Sequence, residues 1–200
     1  TVVAWAVVGY FNLFFVPGVD VKAKAAFIAT IVTTFFLLLL TIVVHRFAMI
    51  QGFGPEEVEE YTTLSFFVNV DFVQIGICTM ITGTIAAITD TAISISSSLY
   101  EVHNCNPQLG EKKLFRSGMT IGKDIIGTTT NTLYFSFVGS YLALFLWFRD
   151  LSYSFGEALN AKVLVSEVLS MFVIGIGVTG IIPLTAWVTA HMLLNESSRD

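Results

Sequence analysis

The sequence predicts an all-α protein of the polytopic membrane class, a bundle of about five spanning helices in a single transmembrane domain, 1–200. Of the 200 residues, 54% are hydrophobic and only 12% are charged, roughly half the charged fraction of a soluble domain. Apolar runs recur along the chain at about the ~20-residue length that crosses ~30 Å of hydrocarbon. The predicted spanning helices are 2–16, 25–44, 71–102, 117–148 and 161–194.

The first two spans are separated by a short polar segment. Residues 2–16 are apolar and aromatic, and a Pro-Gly pair ends the run. Two lysines follow, and 25–44 then has about the length of one crossing. Because Thr1 already lies in an apolar run, we expect the sequence to be a fragment that lacks an upstream helix, which an external domain could follow.

A polar connection, 45–61, precedes the third span. It contains two glycines and a proline, which interrupt a continuous helix, and then an acidic cluster of four residues: Glu56, Glu57, Glu59 and Glu60. We interpret this cluster as a solvated face, with a cation or partner site as the alternative. Residues 64–102 would form one helix of roughly 60 Å, so we divide them into an interfacial segment, 64–70, and the span 71–102.

The last two spans follow a basic turn at 104–116. The far end of 117–148 carries Tyr141, Trp147 and Arg149, which is typical of the interface between membrane and water. A loop at 150–160 leads to the fifth span, 161–194, which Pro183 is expected to kink.

The distribution of Lys and Arg predicts the orientation of the chain in the lipid bilayer. Most basic residues lie in the turn after the first span, in the turn after the third span and in the C-terminal tail. By the positive-inside rule these segments face the cytoplasm. We therefore expect the N-terminus of this sequence outside the cell membrane and the C-terminus inside.

Charged residues within the third and fourth spans form the candidate site. A charged side chain in hydrocarbon costs at least ~2.5–3.5 kcal/mol on insertion scales. Because a short turn joins the two spans as antiparallel neighbours, we expect Asp90 and Lys123 to face each other inside the bundle, where a proton moving onto Asp90 would release Lys123. This predicts a proton relay of Asp90, Lys123 and Asp124. The residues expected to line its polar cavity are Ser94, Ser97, Ser98, Glu101, Thr128 and Asn131.

Two other interpretations of these residues remain open. The polar groups could only hold the helices together through contacts across them. Asp90 and Asp124 on neighbouring spans also resemble the paired acids of intramembrane aspartyl proteases, which share a proton. However, Gly122-Lys123-Asp124 lacks the second glycine of that family's G-x-G-D motif, and an adjacent lysine would keep the acid ionised.

Glycines in the spans are interpreted as helix-packing positions. Gly175, Gly177 and Gly180 match G-x-G-x-x-G, but no strand precedes them, so the dinucleotide-binding interpretation lacks its structural context. Small residues instead allow membrane helices to approach closely. The positions expected to pack in this way, together with the proline kink, are Gly83, Gly122, Gly127, Gly175, Gly177, Gly180 and Pro183.

The sequence offers no motif for a cofactor, a metal or a nucleic acid. Cys78, Cys105 and the three histidines lack the spacing of metal ligands. No basic stripe of the kind that binds phosphates is present. We therefore predict no cofactor, no metal, no catalytic residue of an enzyme and no nucleic-acid partner.

Two segments carry a family resemblance. They are ITDTAISISSSLYEVHNCNP (88–107) and LFRSGMTIGKDIIGTTTNTL (114–133), followed by Val-Gly-Ser at 138–140. Over about 71–190 the chain resembles the YibE/F family of bacterial polytopic membrane proteins, which implies a location in the bacterial inner membrane. Lys123 stands where Arg is common in that family, and Thr129 where Met is common. The resemblance implies no particular reaction.

The arrangement of Asp90, Glu101 and Lys123 before a Thr-rich run is also distantly similar to the membrane half of SecD/SecF-type proteins of the RND superfamily. This similarity implies an RND-like fold, a relay of Asp90 and Lys123, and a homodimer or a paralogous second subunit. We therefore predict a proton-coupled transport or export subunit of unknown substrate. The alternatives are a non-catalytic membrane assembly subunit, whose acidic loop binds a partner, and third, an intramembrane aspartyl protease.

Overall fold

The computed structural model describes residues 21–48, 72–142 and 162–197, together with isolated positions between 146 and 160. Four helices make up this part of the chain: α1 (Val21–Ala48), α2 (Phe72–Cys105), α3 (Glu111–Ser140) and α4 (Lys162–Ser197). The described residues contain no strand, so the all-α prediction is confirmed for them. The first predicted span, the segment 64–70 and the four-glutamate cluster lie outside the described residues.

Two of the described helices, rather than five, are long and apolar enough to cross a membrane. They are the segment Val21–Val44 of α1 and the segment Glu167–Asn195 of α4. The predicted number of spans is corrected accordingly for this part of the chain. At 34 and 30 residues, α2 and α3 are also long, but the charged and hydroxyl-bearing residues around Asp90 and Lys123 make them less apolar.

The turn between α2 and α3 is shorter than the sequence suggested. Residue Cys105 ends α2, and α3 begins at Glu111 rather than at 117. The amides of Lys113 and Leu114 donate to the carbonyl oxygen of Gly110 at 3.0 and 3.1 Å. The negative charge of Glu111 in the first turn interacts favourably with the positive end of the helix dipole. Several good helix formers follow. All three basic residues assigned to the turn, Lys112, Lys113 and Arg116, therefore lie on α3 itself.

α2 and α4 form the centre of the bundle, and both α1 and α3 pack against these two helices. Small residues occupy the closest approaches. A Cβ atom added to Gly177 of α4 would lie 2.8 Å from Leu37 Cδ1 and 3.2 Å from Ile88 Cγ2. Gly177 thus lies where α1, α2 and α4 meet. The largest fully buried aliphatic side chains around this centre are Ile88, Ile95, Leu99, Leu114, Ile181 and Ile182.

α3 packs on α4 through two further glycines. A Cβ on Gly118 would lie 2.8 Å from Ala186 Cβ and 2.9 Å from Leu99 Cδ1, and a Cβ on Gly122 would overlap Ile182 Cγ2. Other glycines that were predicted to pack make no such contact. A Cβ added at Gly127, Gly175 or Gly180 would have no atom within 4 Å, and one added at Gly83 would lie at an ordinary 3.8 Å from Ile174 Cδ1. Their outward positions explain the difference, because only one side of each helix faces a neighbour.

A polar link joins α1 to α2 near the α2–α3 turn. Ser96 Oγ donates a 2.6 Å hydrogen bond to the carbonyl oxygen of Lys22, and Lys22 Nζ lies 5.1 Å from the ring centroid of Tyr100. These contacts place the start of α1 at the level of Ser96 and Tyr100. Because the apolar segment of α1 begins at Val21, Asp90 lies deeper than that boundary.

The outer surface of α1 is strongly apolar. Its exposed side chains include Phe35 at 67% and Phe36 at 58% relative accessibility. A continuous exposed apolar surface of this kind is characteristic of a protein that contacts lipid or a partner. The further large apolar residues exposed on α1 are Ile28, Ile31, Val32, Leu39, Ile42, Val43 and Phe47.

Candidate functional site

The outward stripe of α2 contains only small and acidic residues. Between Ile77 and Glu101, the exposed residues whose side chains are described are Gly83, Ala86, Asp90, Ser94 and Glu101. Their spacings of three, four and seven residues place them on one side of the helix. Ser97 and Ser98 adjoin this stripe and are half-buried. Of the residues predicted to line the site on α2, Asp90, Ser94 and Glu101 lie on this stripe, and its outward position was not predicted.

The outward surface of α3 is polar over its first six turns. All exposed residues from Glu111 to Thr132 are charged, polar or glycine. The predicted site residues Lys123, Asp124, Thr128 and Asn131 are among them. We use the name polar face for the exposed stripe of α2 together with this surface of α3.

Leu99 of α2 contacts α3 at Gly118, so these two residues lie at the same level along the bundle. Asp90 precedes Leu99 by nine residues and Lys123 follows Gly118 by five, so at ~1.5 Å per residue their Cα atoms are offset by ~6 Å along the bundle. Glu101 and Arg116 are each two residues from this contact on the opposite side. They therefore lie at the same level.

The expected meeting of Asp90 and Lys123 inside the bundle is corrected by the structure. Both side chains are exposed on the outside of the single chain. Among the described residues, neither forms an ion pair or a hydrogen bond with the other. The physical reason is that the inward sides of α2 and α3 are already filled by aliphatic side chains and by the glycine contacts with α4.

Several hydroxyl groups on or beside the polar face bond to their own helices. Ser98 Oγ donates to the carbonyl oxygen of Ser94 at 2.8 Å, and Thr128 Oγ1 donates to that of Ile125 at 3.0 Å. These bonds satisfy the hydroxyl hydrogens locally, as Ser and Thr commonly do within helices. Their remaining lone pairs stay available to water or to a protonated group.

The polar face and the outer surface of α1 would meet different environments. On α1, nine large apolar side chains are exposed, whereas the exposed residues of α2 between Ile77 and Glu101 include none. A carboxylate such as Asp90 is costly against hydrocarbon but inexpensive beside water or an opposite charge. The arrangement is therefore suited to line an aqueous path or a polar interface.

Arg116 and Ser96 were not among the predicted site residues. Arg116 is exposed on α3, seven residues before Lys123, and this heptad spacing is the signal that places both on one side of a helix. Ser96 lies between the predicted Ser94 and Ser97 but is buried and bonded to α1. Ser96 has a different structural role from Ser94 and Ser97 only because it lies on the buried side of the helix.

The intramembrane aspartyl protease alternative finds little geometric support in the described residues. Asp90 and Asp124 are both exposed and share no hydrogen bond there, whereas an aspartyl protease pair shares a proton. Cys78 and Cys105 are not joined in a disulfide. No three His, Cys, Asp or Glu side chains come together as metal ligands in the part of the chain that is described.

Comparison with known proteins gives one match. The family model described as YibE/F-like protein matches residues 1–195. No curated protein and no solved structure matches the chain. The more distant similarity to SecD/SecF-type proteins is not shown by these comparisons and stays a prediction.

Proposed function

The chain belongs to the YibE/F-like protein family, and from the polar face that it presents we propose that it is a multi-pass inner-membrane transport subunit in a bacterium. Protons move along the polar face, and Asp90 carries them. Lys123 forms no ion pair with Asp90 within the single chain, and it acts as the counter-charge of Asp90 when the two side chains come within reach. Asp124, Thr128 and Asn131 line the path. The cytoplasmic side is the side of the α2–α3 turn, where the basic residues of α3 lie.

One observation carries this proposal: Asp90 is exposed on a stripe of α2 that lacks large apolar side chains, deeper than the level at which the apolar segment of α1 begins. A carboxyl group in that position can be neutral or ionised at modest cost if water and an amine are near it. Ser94 and the serines beside it supply hydroxyl groups that can accept hydrogen bonds from a hydrated proton.

The chain's own residues divide the task in a definite way. With Asp90 ionised, the Lys123 ammonium stabilises the carboxylate by direct attraction. Once Asp90 is protonated, that attraction is lost, and it returns when Asp90 releases the proton to water on the other side of the membrane. Each cycle thus switches the attraction between Asp90 and Lys123 off and on, and this change can drive a conformational step.

The test is proton movement through the purified chain in liposomes under an imposed pH difference, followed with an enclosed pH-sensitive dye. Asp90→Asn should lower the rate at least tenfold, and Asp90→Glu should retain part of it. The matched carboxylate-to-amide control is Glu167→Gln at the start of the apolar segment of α4, outside the polar face, which should conduct like the native chain. Equal rates in Asp90→Asn and the native chain would remove the proposal and favour a non-catalytic assembly subunit instead.

A further inference from the structure

We infer that a second copy of this chain covers the polar face, so that Lys123 and Arg116 of each copy pair with Asp90 and Glu101 of the other. This inference rests on the membrane location in the proposed function, because only in a membrane is an uncovered charged stripe expensive. It adds to that function the partner that completes the site.

The polar face is self-complementary in charge. The exposed stripe of α2 carries only acidic charges, Asp90 and Glu101, whereas Arg116 and Lys123 supply basic charges to the exposed surface of α3. Within one chain these groups form no ion pair among the described residues. Each helix therefore presents the charge that the other needs, on the outside of the bundle.

The levels of the charges fit a two-fold dimer. Two copies inserted in the same direction can be related by an axis along the membrane normal, which leaves the depth of every residue unchanged. In such an isologous contact, α2 of one copy faces α3 of the other and the reverse. Glu101 and Arg116 share one level, and the ~6 Å offset of Asp90 from Lys123, derived from the helical rise, lies within reach of a flexible lysine side chain.

The sizes of the residues fit the same contact. Gly83, Ala86 and Ser94 lie on the exposed stripe of α2, and Gly127 on α3 has nothing within 4 Å of an added Cβ. Small residues allow the backbones of membrane helices to approach closely, and the close approach brings polar side chains within bonding distance. Lipid on this surface would instead leave both acids and both bases next to hydrocarbon.

Exchange of charges tests the pairing between copies. Two differently tagged full-length copies are expressed together, and the amount of one that is recovered with the other is measured after solubilisation in mild detergent. Native copies should associate. Asp90→Lys in both copies, or Lys123→Asp in both, should lower the recovery at least tenfold. An Asp90→Lys copy expressed with a Lys123→Asp copy should restore it. The introduced lysine of the first copy then faces the introduced aspartate of the second, and the native Lys123 of the first copy faces the native Asp90 of the second.

The second pair, Glu101 and Arg116, can be tested by the same exchange of charges. It lies nearer the membrane edge, where charge reversal disturbs membrane insertion less. Glu101→Arg and Arg116→Glu should each weaken association and should restore it when present on separate copies. Arg46→Glu at the end of α1, an exposed charge away from the polar face, is the matched control and should have no effect. Association could instead recover when both changes are in the same chain but not when they are on separate copies. That result would place the pair inside one chain and overturn the inference.

Cross-linking gives an independent measurement that does not depend on charge. In a background with both native cysteines changed to serine, one copy carries Ser97→Cys and the other Thr120→Cys, two positions at the same level. Oxidation should yield a disulfide-linked pair, whereas Phe36→Cys on the apolar surface of α1 should not link to Thr120→Cys. Absence of association between native copies, or equal linking at Phe36→Cys, would refute the dimer.

The outcomes for the dimer and for proton movement can be separated. A chain that conducts protons as a monomer, with Asp90→Asn inactive, refutes the second copy and leaves the proton role of Asp90 intact. A chain that passes the charge-exchange test but conducts equally well with Asp90→Asn establishes the interface and refutes the proton role.

Discussion

Ser96 Oγ of α2 lies 2.6 Å from the carbonyl oxygen of Lys22, which belongs to the first turn of α1. The serine is buried, so this hydrogen bond joins two helices at a place that water does not reach. The hydroxyl of the neighbouring Ser98 donates instead to its own helix. Two serines separated by one residue thus have different structural roles.

Ser96→Ala should destabilise the contact between α1 and α2. Loss of a buried hydrogen bond costs about 1 kcal/mol, which unfolding by graded denaturing detergent can measure. Ser98→Ala is the matched control and should change the free energy of unfolding by less than ~0.5 kcal/mol, because its bond lies within one helix. Equal losses in the two variants would contradict the role assigned to Ser96.

Gly122→Ala should loosen the packing of α3 on α4. The added methyl group would overlap Ile182 Cγ2 and lie 3.2 Å from Ile182 Cγ1, and overpacking of this kind costs about 1–3 kcal/mol. Ile182→Ala in the same chain should recover part of that loss, so the two changes should be less than additive. Gly139→Ala, where nothing lies within 4 Å, serves as the control, and additivity would argue against a direct clash.

Gly177→Ala should be the most damaging change in the glycine-rich part of α4. A methyl group there meets Leu37, Ile88 and Thr84 at once, whereas at Gly175 it meets nothing within 4 Å. Gly175→Ala should therefore be neutral or stabilise the helix by up to ~1 kcal/mol, and Gly177→Ala should destabilise by about 1–3 kcal/mol. Thermal unfolding in detergent distinguishes the two, and the reverse order would refute the assigned contact.

Cys105 reports the orientation of the chain. It is exposed at the end of α2, beside the turn that we propose to lie in the cytoplasm. In a Cys78→Ser background, a membrane-impermeant maleimide should label Cys105 in inside-out vesicles but not in intact spheroplasts. Labelling in spheroplasts alone would reverse the topology.

The helices could be predicted because the length of an apolar run indicates a spanning helix. The predicted runs 25–44 and 161–194 correspond closely to α1 and α4. The start of α3 was less predictable, since Glu111 and the basic residues after it suit both a solvated turn and a first helical turn. Helix formation was decided there by the short turn that ends at Gly110.

The direction in which the site faces could not be predicted from the sequence. Helical spacing places Asp90, Ser94 and Glu101 on one side of α2, but it does not say whether that side meets α4 or the outside. In soluble proteins polarity answers this question, whereas in α1 and α4 both the inward and the outward sides are apolar. Which side of a helix faces a neighbour depends on where small residues such as Gly118 and Gly177 allow close approach. The position of a small residue on its helix does not reveal which helix it will contact.

Pro183 lies inside α4, between Gly177, which meets α1 and α2, and Ala186, which meets α3. Proline has no backbone N–H to donate to the preceding turn, so the helix is weakest there. Ile182, directly before the proline, approaches α3 at Gly122, and Ala186, after the proline, approaches α3 at Gly118. The contact between α4 and α3 therefore extends across Pro183, so α3 braces α4 at the position where its own backbone hydrogen bonding is weakest.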